Sequence, residues 1–166
     1  DDRYCWDIAR PFDQCLLLSG LLEVGVDALF AAPSCHPWAL NSRTFTKEAR
    51  ESKRQGQYAT LLFLAVACFC QLLMGRSYTL ENPAFSDIFT DPLSPLHWLR
   101  SLMFTLRYID QCMTGTELEG SAVKKPTHLQ SCSAQGDDQR CTKEHSHIRL
   151  DGCGPGGSRT AQTAKY

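Results

Sequence analysis

Residues 26–38 have the sequence VDALFAAPSCHPW, in which an apolar run leads directly into a loop that contains two prolines. The apolar run, 26–32, is typical of a strand buried on both faces of a parallel sheet. Cys35 follows it in the loop. Ligands of open α/β sheets bind beyond the carboxyl ends of the strands, so a thiol at this position is accessible to a reactant. The stretch therefore predicts an α/β fold with a reactive cysteine at one edge of the sheet.

The segments on either side of this stretch extend the pattern into a βαβ unit. Residues 13–25 have apolar side chains at helical spacing, and residues 47–74 form a longer helical pattern that stops at Gly75. A short β-prone run, 77–80, follows. Strand, helix and strand in this order predict two parallel strands joined by a right-handed crossover.

The rest of the chain predicts shorter elements. They are a short helix that begins near Pro92 or Pro95, a strand within 103–109, a turn or hairpin within 117–125, and a short strand within 127–132. Beyond residue 133 the chain is polar and then rich in glycine. We therefore predict an α/β core over 1–132 and an irregular segment over 133–166 that is loosely ordered toward its end.

Composition limits the classes of function. A chain of 166 residues with 43% hydrophobic content can bury one globular core. Its net charge of −1 provides no general attraction to nucleic acid or to an anionic membrane, so such contacts require a local patch. The nine cysteines lack the spacing of a disulfide framework, which predicts reduced thiols and an intracellular location, nuclear or cytoplasmic. The apolar run 58–74 is at the lower length limit for a membrane span, and we predict a buried helix and no membrane contact.

Four short motifs occur in a fixed order along the chain. They are Trp6-Asp7-Ile8, Pro33-Ser34-Cys35, Glu81-Asn82-Pro83 and Lys124-Lys125-Pro126-Thr127. This order resembles the central part of the DNA (cytosine-5) methyltransferases. The blocks at 110–115, 123–127, 140–141, 145–147, 150–152 and 159–160 are similar to uncharacterised methyltransferase-like segments of retroelement polyproteins. The resemblance implies a partial Rossmann-like class I methyltransferase core with a mostly parallel sheet.

The resemblance also implies roles for individual residues. Asp7 and Pro33 fall at the site of S-adenosylmethionine, whose adenine the family's acid holds. Cys35 falls at the nucleophile that attacks C6 of a flipped cytosine, and Glu81 at the acid that engages N3, with Asn82 as its orienting neighbour. Thiolate attack, methyl transfer and elimination divide one difficult step into several. The implied function is cytosine-5 methylation of DNA.

The predicted nucleic-acid contacts involve basic and aromatic residues. Lys124, Lys125 and Thr127 fall near the family's basic element, which contacts the base and the backbone. Trp38 is predicted to stack on a base, or alternatively to cover the apolar underside of the loop. Arg43 is the first residue of a basic patch that extends to Arg54. The patch is predicted to contact phosphates, or alternatively to be a solvated helix face.

Two departures from the family pattern favour an incomplete or degenerate copy. Ser34 stands directly before Cys35, where the family has proline, and the Gly-rich turn that should precede Asp7 is not in the sequence. Each site residue also has a structural interpretation. Cys35 would be a small buried residue, Glu81 a helix cap, and Asp7 an N-cap for the segment that runs to Phe12.

A second group of ligand-type residues lies near the end of the chain. Its members are spaced Cys141-x3-His145-x-His147-x5-Cys153, with Cys112 and Cys132 as further ligand candidates. Four such residues can hold zinc, although the spacing matches no standard zinc finger and an ordinary polar segment is the alternative. The second functional hypothesis is therefore a non-catalytic nucleic-acid-binding or assembly segment of a retroelement protein that binds zinc.

Overall fold

A computed structural model describes residues 7–39, 45–102, 105–118, 120–132, 137–148, 153–154 and 157–158. Over these residues the helices are α1 (Pro11–Gly20), α2 (Lys47–Leu73) and α3 (His97–Ser101). The strands are β1 (Ala28–Ala31), β2 (Ser77–Pro83), β3 (Thr105–Asp110), β4 (Glu117–Leu118), β5 (Ser121–Val123), β6 (Pro126–Ser131), β7 (His147–Ile148), β8 (Cys153–Gly154) and β9 (Gly157–Ser158). The predicted α/β class is confirmed.

The main sheet has the strand order β1-β2-β6-β3. β1 and β2 are parallel, as predicted, but β6 is antiparallel to both β2 and β3. The prediction of a mostly parallel sheet is therefore wrong for the described strands. A parallel return needs a crossover, usually a helix, whereas β3 and β6 are joined by a 3-10 turn and the β4–β5 hairpin, which return the chain in the opposite direction.

The core lies between α2 and the β1–β2 pair. α2 begins after Thr46, whose side chain accepts a hydrogen bond from the Ala49 N–H at 3.2 Å. The apolar half of the helix then packs on the sheet. The core cluster contains Trp38, Leu61, Leu64, Ala65, Cys68, Tyr78, Leu80, Ile88, Phe89, Leu96 and Leu99. Burial of these side chains provides the main driving force for the fold.

The helical pattern at 13–25 forms α1 followed by a π-helical turn, Leu21–Gly25. Gly25 ends that turn with φ +80°, and a Cβ atom there would lie 2.7 Å from the Arg76 guanidinium. Arg76 in turn donates to the Leu21 carbonyl at 2.9 Å. Glycine is favoured at position 25 because its φ of +80° is a backbone conformation that other residues rarely adopt.

α2 is long and apolar enough to cross a membrane by length and composition, a test that a core helix also passes. In this structure 39% of its most apolar window is buried against the rest of the chain. The absence of membrane contact remains a prediction.

Residues 137–148 lie against the main sheet at its β3 edge. Gln139 forms a parallel bridge with Ile109, and β7 pairs in parallel with β5. The segment predicted as an irregular tail thus contacts the predicted core in this range. The end that is predicted to be loosely ordered falls mainly outside the described residues, apart from the short β8–β9 hairpin.

Candidate functional site

One edge of the main sheet brings together most of the predicted site residues. Ala31 at the end of β1 pairs in parallel with Leu80, so the Cys35 loop and the end of β2 leave the sheet on the same side. β6 begins at this edge because it runs antiparallel to β2, with Thr127 opposite Pro83. β3 ends there because it is antiparallel to β6. Three connections therefore meet at one edge.

The Cys35 loop is held by hydrogen bonds at both of its ends. At the start, the Asn82 side-chain amide donates to the Pro33 carbonyl at 2.7 Å. At the end, the carbonyl of Cys35 accepts from the N–H groups of Trp38 and Ala39 at 2.8 and 2.9 Å. Asn82 lies within β2, near its end, and is 1% exposed. Its observed role is to position the loop.

Arg54 on α2 also holds the Cys35 loop in place. Its Nε donates to the Pro37 carbonyl at 3.1 Å, and its Nη1 forms an ion pair with Asp91 at 2.6 Å. Its guanidinium lies 4.4 Å from the ring centroid of Trp38, a cation–π distance. Sequence reasoning missed this role, because Arg54 was grouped with a surface patch. Its ion-pair partner, Asp91, is 37 residues away in the sequence, so spacing along the chain did not indicate the pair.

Trp38 is a core residue rather than an exposed platform. It is 2% exposed, and its indole N–H donates to the Gln57 side chain at 3.1 Å. The prediction that it stacks on a base is wrong for this conformation because the core and Arg54 cover its ring. The alternative, that it covers the apolar underside of the loop, agrees with this burial.

Two opposite charges act on the pKa of the Cys35 thiol. Lys125 Nζ and Glu81 Oε1 are 3.3 Å apart, and both side chains are largely buried. Burial raises the pKa of Cys35 above its ordinary value; a backbone hydrogen bond and the cation of Lys125 lower it, and the carboxylate of Glu81 raises it. The raised pKa means that Cys35 rests as a thiol. The ion pair of the Glu81 carboxylate and the Lys125 ammonium group lies at the same sheet edge.

The main chain fixes Lys125 at the start of β6. Its carbonyl accepts from the Gln111 N–H at 3.1 Å and from the Thr127 hydroxyl at 3.2 Å. Thr127 is 2% exposed and also accepts from the Gln111 side chain at 3.3 Å. The predicted nucleic-acid contact at Thr127 is therefore wrong in this structure, because its hydroxyl is buried in contacts within the chain. Lys124 is exposed.

The remaining predicted residues lie away from this cluster or outside the description. Asp7 precedes α1, where its carboxylate accepts from the Ala9 N–H at 3.0 Å and pairs with Arg10 at 3.3 Å. These contacts match the structural interpretation of Asp7 as a group at a helix start. Arg43 lies outside the described residues.

A second cluster, which we call the metal cluster, consists of Cys112, Cys141, His145 and His147. Their ligand atoms all lie within 4.8 Å of one another, an arrangement that could hold a metal ion. The predicted ligands Cys141, His145 and His147 are thus brought together. Cys112 joins them from the 3-10 turn after β3.

The other two ligand candidates do not contribute described ligand atoms to the metal cluster. Cys132 lies at the far end of β6, where its Sγ accepts from the Tyr78 N–H at 3.1 Å. The side chain of Cys153 is outside the described residues.

Asp110, the last residue of β3, joins the metal cluster to the sheet. Its carboxylate is 4% exposed and accepts from the Cys141 N–H at 2.9 Å and the Tyr108 hydroxyl at 3.2 Å. Its own N–H donates to the Gln139 carbonyl at 2.9 Å. Sequence reasoning missed Asp110, for which a lone acid at the end of a strand was the only signal.

Comparisons of the chain with protein-family models, with curated proteins and with solved structures find no match. The proposed functions therefore rest on the geometry of the Cys35 site and of the metal cluster.

Proposed function

We propose that the chain carries a covalent site of the cytosine-5 DNA methyltransferase type, within a partial Rossmann-like core. Cys35 is the nucleophile, Glu81 is the acid that activates the base, and Lys125 stabilises the anionic groups. The observation that supports this most is that Cys35 in the loop after β1, Glu81 near the end of β2 and Lys125 directly before β6 lie at one sheet edge, where Lys125 and Glu81 form an ion pair at 3.3 Å.

The sheet topology accounts for this meeting. Parallel strands place the residues that follow them at a common edge, where α/β proteins bind their ligands. β6 supplies Lys125 from the opposite direction because its first residues lie at that same edge.

The proposed step adds the S–H group of Cys35 across the pyrimidine ring of an extruded cytosine. The thiol proton passes to the Glu81 carboxylate and then to N3. The sulfur forms a bond to C6, the C5=C6 π pair moves to form a C4=C5 double bond, and the C4=N3 π pair moves onto N3, which takes the proton. The reverse sequence breaks the C–S bond and returns the proton to sulfur, so no other reactant is consumed. Extrusion of the base costs a few kcal/mol and is a separate requirement.

The residues assigned to S-adenosylmethionine do not fit a cofactor site as they stand. The Asp7 carboxylate is engaged by Ala9 and Arg10, and the Pro33 carbonyl by Asn82. Methyl transfer to the electron-rich C5 stays a prediction of the resemblance.

The covalent step is tested with DNA that carries 2-pyrimidinone in place of one cytosine. This base lacks the 4-amino group, which makes C6 more electrophilic, and its thiol adduct is detected on a denaturing gel. We expect an adduct with the parent chain and none with Cys35→Ala. Glu81→Gln is expected to slow adduct formation by about 100-fold, as for the loss of a general acid.

Cys15→Ala is the matched control, because Cys15 is a free, exposed thiol on α1. It should form the adduct at the parent rate. An adduct that persists in Cys35→Ala, or its absence from the parent chain, contradicts the proposal. Calorimetric titration with S-adenosylmethionine decides the finer function: saturable binding supports a methyltransferase, and no binding contradicts it.

The metal cluster favours a second candidate function, a non-catalytic nucleic-acid-binding or assembly segment of a retroelement protein. The ion that we propose for the cluster is zinc, held by three ligands from residues 137–148 and by Cys112 from the 3-10 turn after β3, none of which is a residue of the Cys35 site. DNA binding by Cys35→Ala at the parent affinity, together with no adduct in the parent chain, would support this candidate.

A further inference from the structure

We propose that Cys112, Cys141, His145 and His147 form a closed, tetrahedral zinc site with a structural role. The site fastens residues 137–148 to the sheet edge formed by β3 and the 3-10 turn Gln111–Thr114. This inference rests on the zinc proposed with the second candidate function and adds to it the closed geometry and the structural role; none of the ligands takes part in the chemistry of Cys35.

The distances from Cys141 Sγ to the two imidazole nitrogens agree with a single tetrahedral ion. Zn–S bonds of about 2.3 Å and Zn–N bonds of about 2.0 Å place sulfur and nitrogen about 3.6 Å apart in a tetrahedral site. Cys141 Sγ lies 3.7 Å from Nε2 of His145 and 3.2 Å from Nε2 of His147. The two imidazole rings meet edge to face, with their centroids 4.5 Å apart. Both rings thus present Nε2 to the same sulfur.

Backbone contacts hold the ligands where they are. Lys143 has φ +66°, a region that non-glycine residues adopt at a cost, and its N–H donates to Cys141 Sγ at 3.3 Å. Cys112 lies in a turn that ends at Gly115 with φ +78°, and the pairing of β7 with β5 fixes His147. An N–H group directed at a thiolate is the kind of outer contact that orients a metal ligand.

The ligand set determines the kind of site. Two thiolates and two imidazoles in tetrahedral geometry favour Zn²⁺ over the harder divalent ions, which prefer oxygen. Four protein ligands fill the coordination of zinc, whereas a catalytic zinc site retains an open position. The Asp110 carboxylate is committed to the Cys141 N–H and to Tyr108. The site is therefore structural.

The test measures zinc in the whole chain, purified with a reductant and without chelator. We expect one zinc ion per chain. Cys112→Ser and Cys141→Ser should each weaken zinc binding by at least tenfold, since loss of an outer-shell partner alone costs about 10- to 100-fold. Cys15→Ser and His36→Ala are the matched controls, because both residues are exposed and lie outside the cluster, and they should bind zinc as the parent does.

Cobalt substitution of the parent chain gives a second readout that does not depend on the folding of a variant. Intense tetrahedral d–d bands with sulfur-to-cobalt charge transfer support the site, and a weak octahedral spectrum overturns it. A parent chain that takes up no zinc after reduction also overturns it, as does Cys112→Ser binding zinc at the parent affinity. Retention of zinc by the controls together with its loss from the cluster variants separates this result from any outcome at Cys35.

Discussion

The Cys35 loop and the metal cluster both lie at the sheet edge where β1, β2 and β3 end, but their thiols have different surroundings. Cys35 has a carboxylate and an ammonium group as its charged neighbours. Cys141 has two imidazoles and a second thiol within ligand distance. The first setting suits a nucleophile that must be deprotonated on demand, and the second suits a permanently bound thiolate. The chemistry of a cysteine is decided by what the fold brings to it.

The two regions also differ in how they are anchored. The Cys35 loop is held by core-side contacts from Arg54 and Asn82. The metal cluster is held from the sheet edge, through Asp110 and the pairing of β7. The anchors can therefore be removed separately.

The largest expected effect comes from Arg54→Met, which removes the anchor of the Cys35 loop. It breaks a mostly buried ion pair with Asp91, a hydrogen bond to the Pro37 carbonyl and the contact with Trp38. We expect the free energy of unfolding to fall by about 3 kcal/mol, because Asp91 is left without its cation. Urea unfolding measures this change.

Arg50→Met is the control for Arg54→Met, since Arg50 is one turn earlier on α2 and has no described ion pair. It should change the free energy of unfolding by less than about 0.5 kcal/mol. Equal losses for the two variants would contradict the role given to Arg54.

Asp110→Ala should have the next largest effect and should act on the metal cluster. It removes the acceptor for the Cys141 N–H and the Tyr108 hydroxyl, which predicts a loss of about 2 kcal/mol of stability. Zinc affinity should fall with it. The control is Asp137→Ala, an exposed acid of residues 137–148. The account of Asp110 fails if zinc affinity is unchanged.

The smallest effect is electrostatic and confined to Cys35. Lys125→Met removes a cation that lowers the pKa of the thiol. The thiolate fraction at pH 8 should fall, and the pH profile of alkylation should move to higher pH. We expect alkylation of Cys35 by iodoacetamide to slow by about threefold, because the greater nucleophilicity of a more basic thiolate offsets part of the loss. Mass spectrometry of the Cys35 peptide measures the rate.

Glu81→Gln should shift the same profile the other way, because Glu81 raises the pKa of Cys35. Lys124→Met is the control for charge, since Lys124 is exposed and adjacent in sequence. A shift of equal size in Lys124→Met would mean that Cys35 responds to net charge and not to the Glu81–Lys125 pair.

The apolar patterns were sufficient to predict much of the fold. The run at 26–32 contains β1, and the pattern at 47–74 matches α2, because burial of one face determines where such elements form. The direction of β6 was not predictable in this way. That direction depends on the β4–β5 hairpin, which returns the chain, and on the place that β6 takes between β2 and β3.

Only part of each candidate site could be predicted from the sequence, because some of the contacts join segments that are distant along the chain. Short spacing indicated Cys141, His145 and His147, but Cys112 is far away in the sequence and was one of several alternatives. Trp38 looked like an exposed aromatic in a loop, and its burial depends on Arg54 and Gln57 from α2. Contacts between distant segments carry information that spacing along the chain does not contain.

The most direct test of the two-site account is a maleimide footprint of the native, zinc-loaded chain, read cysteine by cysteine by mass spectrometry with and without chelator. We predict that chelation raises the reaction rates of Cys112 and Cys141 together, by at least about tenfold, and changes the rate of Cys35 by less than about twofold. Rates at Cys112 and Cys141 that ignore the chelator, or a rate at Cys35 that rises with them, would contradict the account.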